Sequence, residues 1–145
     1  MKAKKIFFNR SNKGSVLAEA ALTLPVLVGI TLFIIEFGNA IYISNSLNQI
    51  ARTAARYAAV TPSYTSSQVV DASGASSLLK DPSKLTLTIT PAPGSARTVG
   101  TVITINAQYN YTPIINPFKI LGSSQSWAPT LKSSSVARAE VANAS

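Results

Sequence analysis

The sequence predicts an α+β protein in which a long membrane-spanning helix at the N-terminus continues into a small domain. An apolar stretch without any charge runs from Ala20 to Ile35. Helical spacing of apolar residues then continues to about Ala59. Three later segments alternate apolar and polar residues, as half-buried strands do. We therefore expect one long helix, a second short helix and a roughly three-stranded antiparallel sheet.

A basic leader precedes the apolar stretch. Five of the 13 Lys and Arg residues lie before Gly14, at Lys2, Lys4, Lys5, Arg10 and Lys13. Such an excess beside an apolar helix marks the cytoplasmic side of a membrane. We divide the chain into a cytoplasmic leader (1–14), a transmembrane helix (15–44) and an extracytoplasmic domain (45–145). No basic stripe with interleaved aromatic residues follows the leader, so nucleic acid is not an expected partner.

The predicted anchor contains two residues that are unusual in apolar helices. Ala20–Ile35 would span about 24 Å, short of a hydrocarbon core of about 30 Å. Extending the helix to Ile43 reaches that length but places Glu36 inside, and Pro25 in the first half is expected to bend it. Glu36 either reaches the outer interface or contacts a cation on the helix of another subunit.

The N-terminus allows three interpretations. The helix is an uncleaved anchor, or it is a secretory signal cut near the small residues 38–40, or the leader is cut after Gly14 and the helix is retained. The third interpretation uses most residues, because cleavage would create an ammonium group at Ser15, one helical turn from Glu19. Otherwise Glu19 is a carboxylate that reaches the inner interface.

The composition argues against an enzyme. The chain has no Cys and no His, which excludes disulfides, thiolate zinc sites and imidazole-based catalysis. Asp71, Asp81 and Glu140 are far apart in sequence, and no Gly-rich phosphate loop is present. We expect no catalytic residue, no metal, no cofactor and no small-molecule substrate.

The helical pattern beyond the anchor forms a stripe of apolar residues. Arg52 and Arg56 lie off this stripe. We expect the stripe to be core of the chain itself, and packing between helices of different subunits is the alternative. Its members are Leu47, Ile50, Ala51, Ala54 and Ala58.

The remaining domain is predicted as a helix and three strands. The helix covers Ser66–Leu79 and is weakened by Gly74. The strands cover Leu85–Thr90, Thr101–Tyr109 and about Leu131–Val141. One face of the second strand carries Ile103, Ile105, Ala107 and Tyr109, and the third strand turns Lys132, Ser134, Arg138 and Glu140 outward.

The segment between the last two strands is too apolar to lie freely in water. It either folds over the sheet or contacts the outer leaflet or a partner subunit. Trp127 either anchors the chain at the membrane interface or belongs to the core of the domain. The candidate contact residues are Ile114, Ile115, Phe118, Ile120 and Leu121.

Several of these motifs together resemble the TadE-like family of minor pseudopilins from tight-adherence (Flp-type) pilus systems. They are the segments Lys13–Glu19, Ala21–Pro25 and Ile35–Gly38, and the Ala/Arg run Ala51–Ala59. The pattern Tyr109–Pro113 before the last strand is also similar.

This resemblance implies a pilin-like domain and a role in pilus assembly at the bacterial inner membrane, with processing after Gly14 by a prepilin peptidase. The implied partners are other pilin-like subunits, inner-membrane assembly proteins, the peptidase and lipid. Helix packing or pairing in the membrane would involve Glu19, Pro25, Glu36 and Gly38. The alternative is an uncleaved or secreted envelope protein whose β domain is a binding module.

Overall fold

The computed structural model describes residues 13–116, 124–125 and 128–143. It confirms the predicted α+β fold. A 3-10 turn over Pro82–Lys84 precedes the first strand. The helices and strands are α1 (Lys13–Val60), α2 (Ser66–Ala72), α3 (Ala75–Leu78), β1 (Leu85–Thr90), β2 (Val102–Asn110) and β3 (Thr130–Arg138).

Helix α1 is continuous through Pro25, although the chain divides into two compact units, residues 1–35 and 36–145. In the first unit the described apolar side chains are largely exposed. Over Gly14–Val60, α1 is the one helix in the described part that is long and apolar enough to cross a membrane. The predicted transmembrane range, 15–44, overlaps both units.

The sheet is antiparallel with the order β1-β2-β3. Leu85 pairs with Tyr109, and Val102 pairs with Arg138. The predicted inward face of β2 is confirmed, because all four of its residues are buried: Ile103, Ile105, Ala107 and Tyr109. The four residues predicted to point outward from the third strand are exposed. The sheet therefore has one apolar face that needs a cover.

The C-terminal half of α1 supplies that cover. All five residues of the predicted stripe are at most 1% exposed, so they are core of the chain itself, as predicted. Leu47 and its neighbours pack with Ala107 and Tyr109, whereas Ala54 and Ala58 pack with Ile103 and other residues of the sheet. The alanines allow the helix backbone to approach the sheet closely, and burial of each large apolar side chain stabilises the fold by about 1.5–3 kcal/mol.

The single helix predicted over Ser66–Leu79 is wrong, because two short helices occupy this range. Gly74 has a φ of 73°, a left-handed conformation that ends α2. At the start of α2, the Thr65 hydroxyl accepts a hydrogen bond from the Gln68 N–H, and the Gln68 side chain accepts one from the Thr65 N–H. This capping box begins the helix that Gly74 stops.

Candidate functional site

The most elaborate polar site in the described chain surrounds the Glu36 carboxylate, which is buried with 6% of the residue exposed. Its Oε1 accepts a hydrogen bond from the Tyr111 hydroxyl. Its Oε2 accepts from the N–H groups of Ile114, at 3.1 Å, and Ile115, at 3.0 Å. The Asn39 amide donates to the Tyr111 hydroxyl oxygen at 2.9 Å. We call these five residues the Glu36 clamp.

The sequence positions both sides of the clamp through simple periodicities. Glu36 precedes the half-buried Ala40 and the buried Ile43 by four and seven residues, so it shares the helix face that becomes core. Tyr111 is two residues beyond Tyr109 and continues the inward-facing series of β2. A bend at 114–115 then turns two successive N–H groups toward the carboxylate, and such pairs of N–H groups bind anions.

The donors of the clamp match the needs of a buried carboxylate. An ionised carboxylate only accepts hydrogen bonds, and here it receives them from one hydroxyl and two backbone groups. Burial, followed by the hydrogen bond to Glu36, raises the pKa of Tyr111 to about 12. The hydroxyl therefore remains protonated and able to donate at neutral pH. The arrangement tethers the segment after β2 to helix α1.

The sequence alone left two alternatives for Glu36, an interfacial position and a cation on another subunit. The structure gives Glu36 hydrogen-bond partners in its own chain, at separations of 75 residues or more. Extending the helical stripe back from Ile43, and the inward series of β2 forward to Tyr111, would have indicated this pairing.

The predicted processing residues lie at the beginning of α1. Gly14, Ser15 and Glu19 are all exposed, and a side chain at Gly14 would meet nothing within 4 Å. The first N–H groups of a helix lack intrahelical acceptors, and helix ends open readily. Processing after Gly14 remains a prediction.

The other predicted residues of the anchor are exposed too. Pro25 lies in the first compact unit, and Gly38 lies in the second. A Cβ at Gly38 would meet nothing within 4 Å, so the backbone there is open to close approach by another helix. The role of Glu19, Pro25, Glu36 and Gly38 in packing between chains remains a prediction.

The predicted contact loop is described only in part. Ile114 is 67% exposed although its N–H is held by Glu36, and Ile115 is half-buried. The Asn116 amide donates to the Gln125 carbonyl oxygen at 3.0 Å. Phe118, Ile120, Leu121 and Trp127 lie outside the described residues.

A second buried polar residue, Arg97, caps the C-terminal end of α1. Only 7% of it is exposed. Its guanidinium donates to the carbonyl oxygens of Ala58, at 3.0 Å, Thr61 and Pro62, and it lies 4.6 Å from the ring centre of Tyr64. A cation is favourable at a helix C-terminus. Sequence analysis missed Arg97, because a lone arginine in a loop carries no periodic signal.

Residues 14–56 match the family model described as TadE-like protein. This N-terminal segment is TadE-like. The resemblance predicted from sequence is therefore confirmed over that range. No curated protein and no solved structure matches the chain. With the apolar helix, the TadE-like match indicates a membrane-anchored component related to Tad pili.

The TadE-like segment contributes only one side of the Glu36 clamp. Glu36 and Asn39 lie inside the matched range, whereas Tyr111, Ile114 and Ile115 lie far beyond it. The clamp thus joins the TadE-like helix to the end of β2 within the second compact unit.

Proposed function

We propose that the chain is a minor pseudopilin of a tight-adherence (Flp-type) pilus system, anchored in the bacterial inner membrane. The observation that carries this proposal is the TadE-like match on a helix whose apolar side chains are exposed. Exposed apolar surface of this extent is typical of contact with lipid or with other apolar helices.

The burial pattern along α1 supports an anchor followed by a domain. From Val16 to Ile35 the large apolar side chains are mostly exposed, and from Ile43 to Ala59 buried positions recur every three or four residues. The basic leader favours a cytoplasmic N-terminus. The domain predicted over residues 45–145 is then extracytoplasmic.

Processing after Gly14 gives Glu19 a specific role. The new ammonium group of Ser15 would lie one helical turn from the Glu19 carboxylate, or near that of a neighbouring subunit. An unpaired charge in apolar surroundings is costly, so each group favours the presence of the other. The pair would set the position of the helix among other pilin-like helices.

The proposed partners follow from this assembly role. They are other pilin-like subunits, inner-membrane pilus assembly proteins, a prepilin peptidase and membrane lipid. The exposed Gly38 backbone and the proline at Pro25 supply helix surfaces for that packing. The proposal includes no catalysis, cofactor, nucleic acid or small-molecule substrate.

The deciding experiment is the intact mass and N-terminal sequence of the protein from its native membranes. We expect a chain that starts at Ser15. A start at Met1 would leave an uncleaved anchor and contradict processing. A start near Ile41 would contradict the membrane anchor itself.

The role of Glu19 has its own test. We expect Glu19→Ala to leave membrane insertion intact and to lower the number of pili on the cell. The exposed Glu140 provides the control, since Glu140→Ala removes a carboxylate far from the leader. Unchanged piliation in Glu19→Ala would refute the pairing with Ser15.

A binding module in the envelope is the second candidate function. The observation that favours it is Ile114, which is exposed while the Glu36 clamp holds its backbone. A photocrosslinking residue in place of Ile114 should capture a partner protein if this surface binds one. Crosslinks to lipid alone would indicate contact with the outer leaflet.

A further inference from the structure

Among the described residues, strand β3 pairs only with β2, and no strand pairs with its outer edge. The Tyr111 N–H donates to the Pro129 carbonyl at 3.1 Å, and the Ala139 N–H donates to the Thr101 carbonyl at 2.8 Å. In an antiparallel pair, every second residue of a strand exchanges backbone hydrogen bonds with its partner strand. Since residues 129 and 139 do so, the odd-numbered residues of β3 bond to β2. The N–H and C=O groups that point outward belong to Thr130, Lys132, Ser134, Val136 and Arg138.

A groove of about 760 Å³ lies beside the C-terminal half of this edge. Helix α1 forms one wall with Arg52 and Arg56, and residues 135–140 form the other, with Arg138 among them. In the part of the chain that the structure describes, none of these three guanidinium groups has an ion-pair partner within 4.0 Å. Glu140 is the one acidic residue in the described lining. The groove is therefore basic.

The exposed edge of β3 carries a distinct pattern of charge. Helix α2 packs against β1, the strand on the other side of β2. Edge strands are usually protected by charge, proline or a covering element. Strand β3 lacks proline, and its outward charged residues, Lys132 and Arg138, are both basic. This pattern repels another basic strand and admits an acidic one.

We propose that an extended acidic segment of another protein adds to β3 as a fourth strand. Alternate side chains of such a strand would face α1, where carboxylates would meet Arg52 and Arg56. A second copy of this chain is a poor occupant, because even without the leader it has eight Lys and Arg residues against five acidic ones. This inference does not depend on pilus assembly.

The test uses the full chain in nanodiscs of zwitterionic phosphatidylcholine. The probe is a labelled peptide of alternating glutamate and valine, as long as β3 (9 residues), with capped ends. A peptide with lysine in place of glutamate is the control. We expect fluorescence anisotropy to show at least about tenfold tighter binding of the acidic peptide. Equal binding of the two peptides would overturn the proposal.

Two variants separate charge from strand pairing. Arg56→Glu should weaken binding of the acidic peptide by at least about tenfold, whereas Lys80→Glu, at an exposed site outside the groove, should change it by less than about twofold. Val136→Pro removes an outward N–H but no bond to β2, and should weaken binding by about tenfold relative to Val136→Thr. Circular dichroism confirms that each variant is folded.

Each contrary result has a definite meaning. Full binding by folded Val136→Pro would show that no strand is added, and full binding by Arg56→Glu would show that the groove does not recognise carboxylates. Either of these outcomes overturns the proposal.

Discussion

Removing one oxygen atom from the Glu36 clamp should release the segment after β2. Tyr111→Phe keeps the buried ring, which is 1% exposed, and removes the hydroxyl that donates to Glu36. A hydrogen bond to a charged group contributes about 1.5–3 kcal/mol. The Asn39 amide also loses its acceptor, but it is half-buried and can bind water instead. We therefore expect the clamp to weaken by about 1.5–3 kcal/mol.

Hydrogen exchange measures this loss at the clamp itself. The N–H groups of Ile114 and Ile115 donate to Glu36, so they exchange with solvent only when the clamp opens. Each 1.4 kcal/mol or so is a factor of ten in the opening equilibrium. In Tyr111→Phe, exchange over residues 112–116 should accelerate by about ten- to hundredfold, as followed by mass spectrometry of the full chain in detergent.

The neighbouring tyrosine provides a matched control. Tyr109 is buried on the same face of β2, and its hydroxyl has no hydrogen-bond partner among the described residues. Tyr109→Phe should change exchange at Ile114 and Ile115 by less than about twofold. The same protection in Tyr111→Phe as in the unaltered chain would refute the argument that Tyr111 holds the clamp closed.

Three further predictions concern stability. Burial raises the pKa of Tyr111 to about 12, so the folded chain keeps a proton that the unfolded chain loses near 10.0. The free energy of unfolding should therefore fall as pH rises from 10.0 through about 12. Tyrosinate absorbance should locate the titration in the folded state. Arg97→Met should lower the free energy of unfolding by about 2–4 kcal/mol in urea titrations, because it leaves carbonyl groups at the end of α1 without a donor, whereas the exposed Arg138→Met should change it by about 0.5 kcal/mol or less. Leu47→Ala, at a position 1% exposed, should lower it by about 2–5 kcal/mol and the exposed Val136→Ala by far less.

Periodic features of the fold were predictable, because each of their residues repeats the same local preference. The apolar stripe between Leu47 and Ala58 repeats at helical spacing, and each of its five residues is buried. Leu85–Thr90 alternates strictly, and β1 has the predicted bounds. By contrast, the helix predicted over Ser66–Leu79 is divided, because the left-handed conformation of Gly74 outweighs the helical preference of its neighbours.

The site was predictable only in part, because its contacts join residues that are far apart in sequence. Glu36 was conspicuous as a carboxylate in an apolar helix, but its donor Tyr111 is 75 residues away. Their meeting depends on where β2 ends and on how α1 crosses the sheet, which no local pattern specifies. Arg97 was not conspicuous at all, since its carbonyl acceptors become neighbours only after α1 and the loop between β1 and β2 are in place.

The separation of 75 residues between Glu36 and Tyr111 also sets an order of events during synthesis. At about 5–20 residues per second, the ribosome completes Tyr111 roughly 4–15 s after Glu36. Throughout that interval the carboxylate has none of its later donors, and an unpaired carboxylate in hydrocarbon is costly. A position of Glu36 in water or at the interface is therefore favoured until β2 has formed. Chains truncated before Tyr111 would lack the hydroxyl donor of that carboxylate permanently.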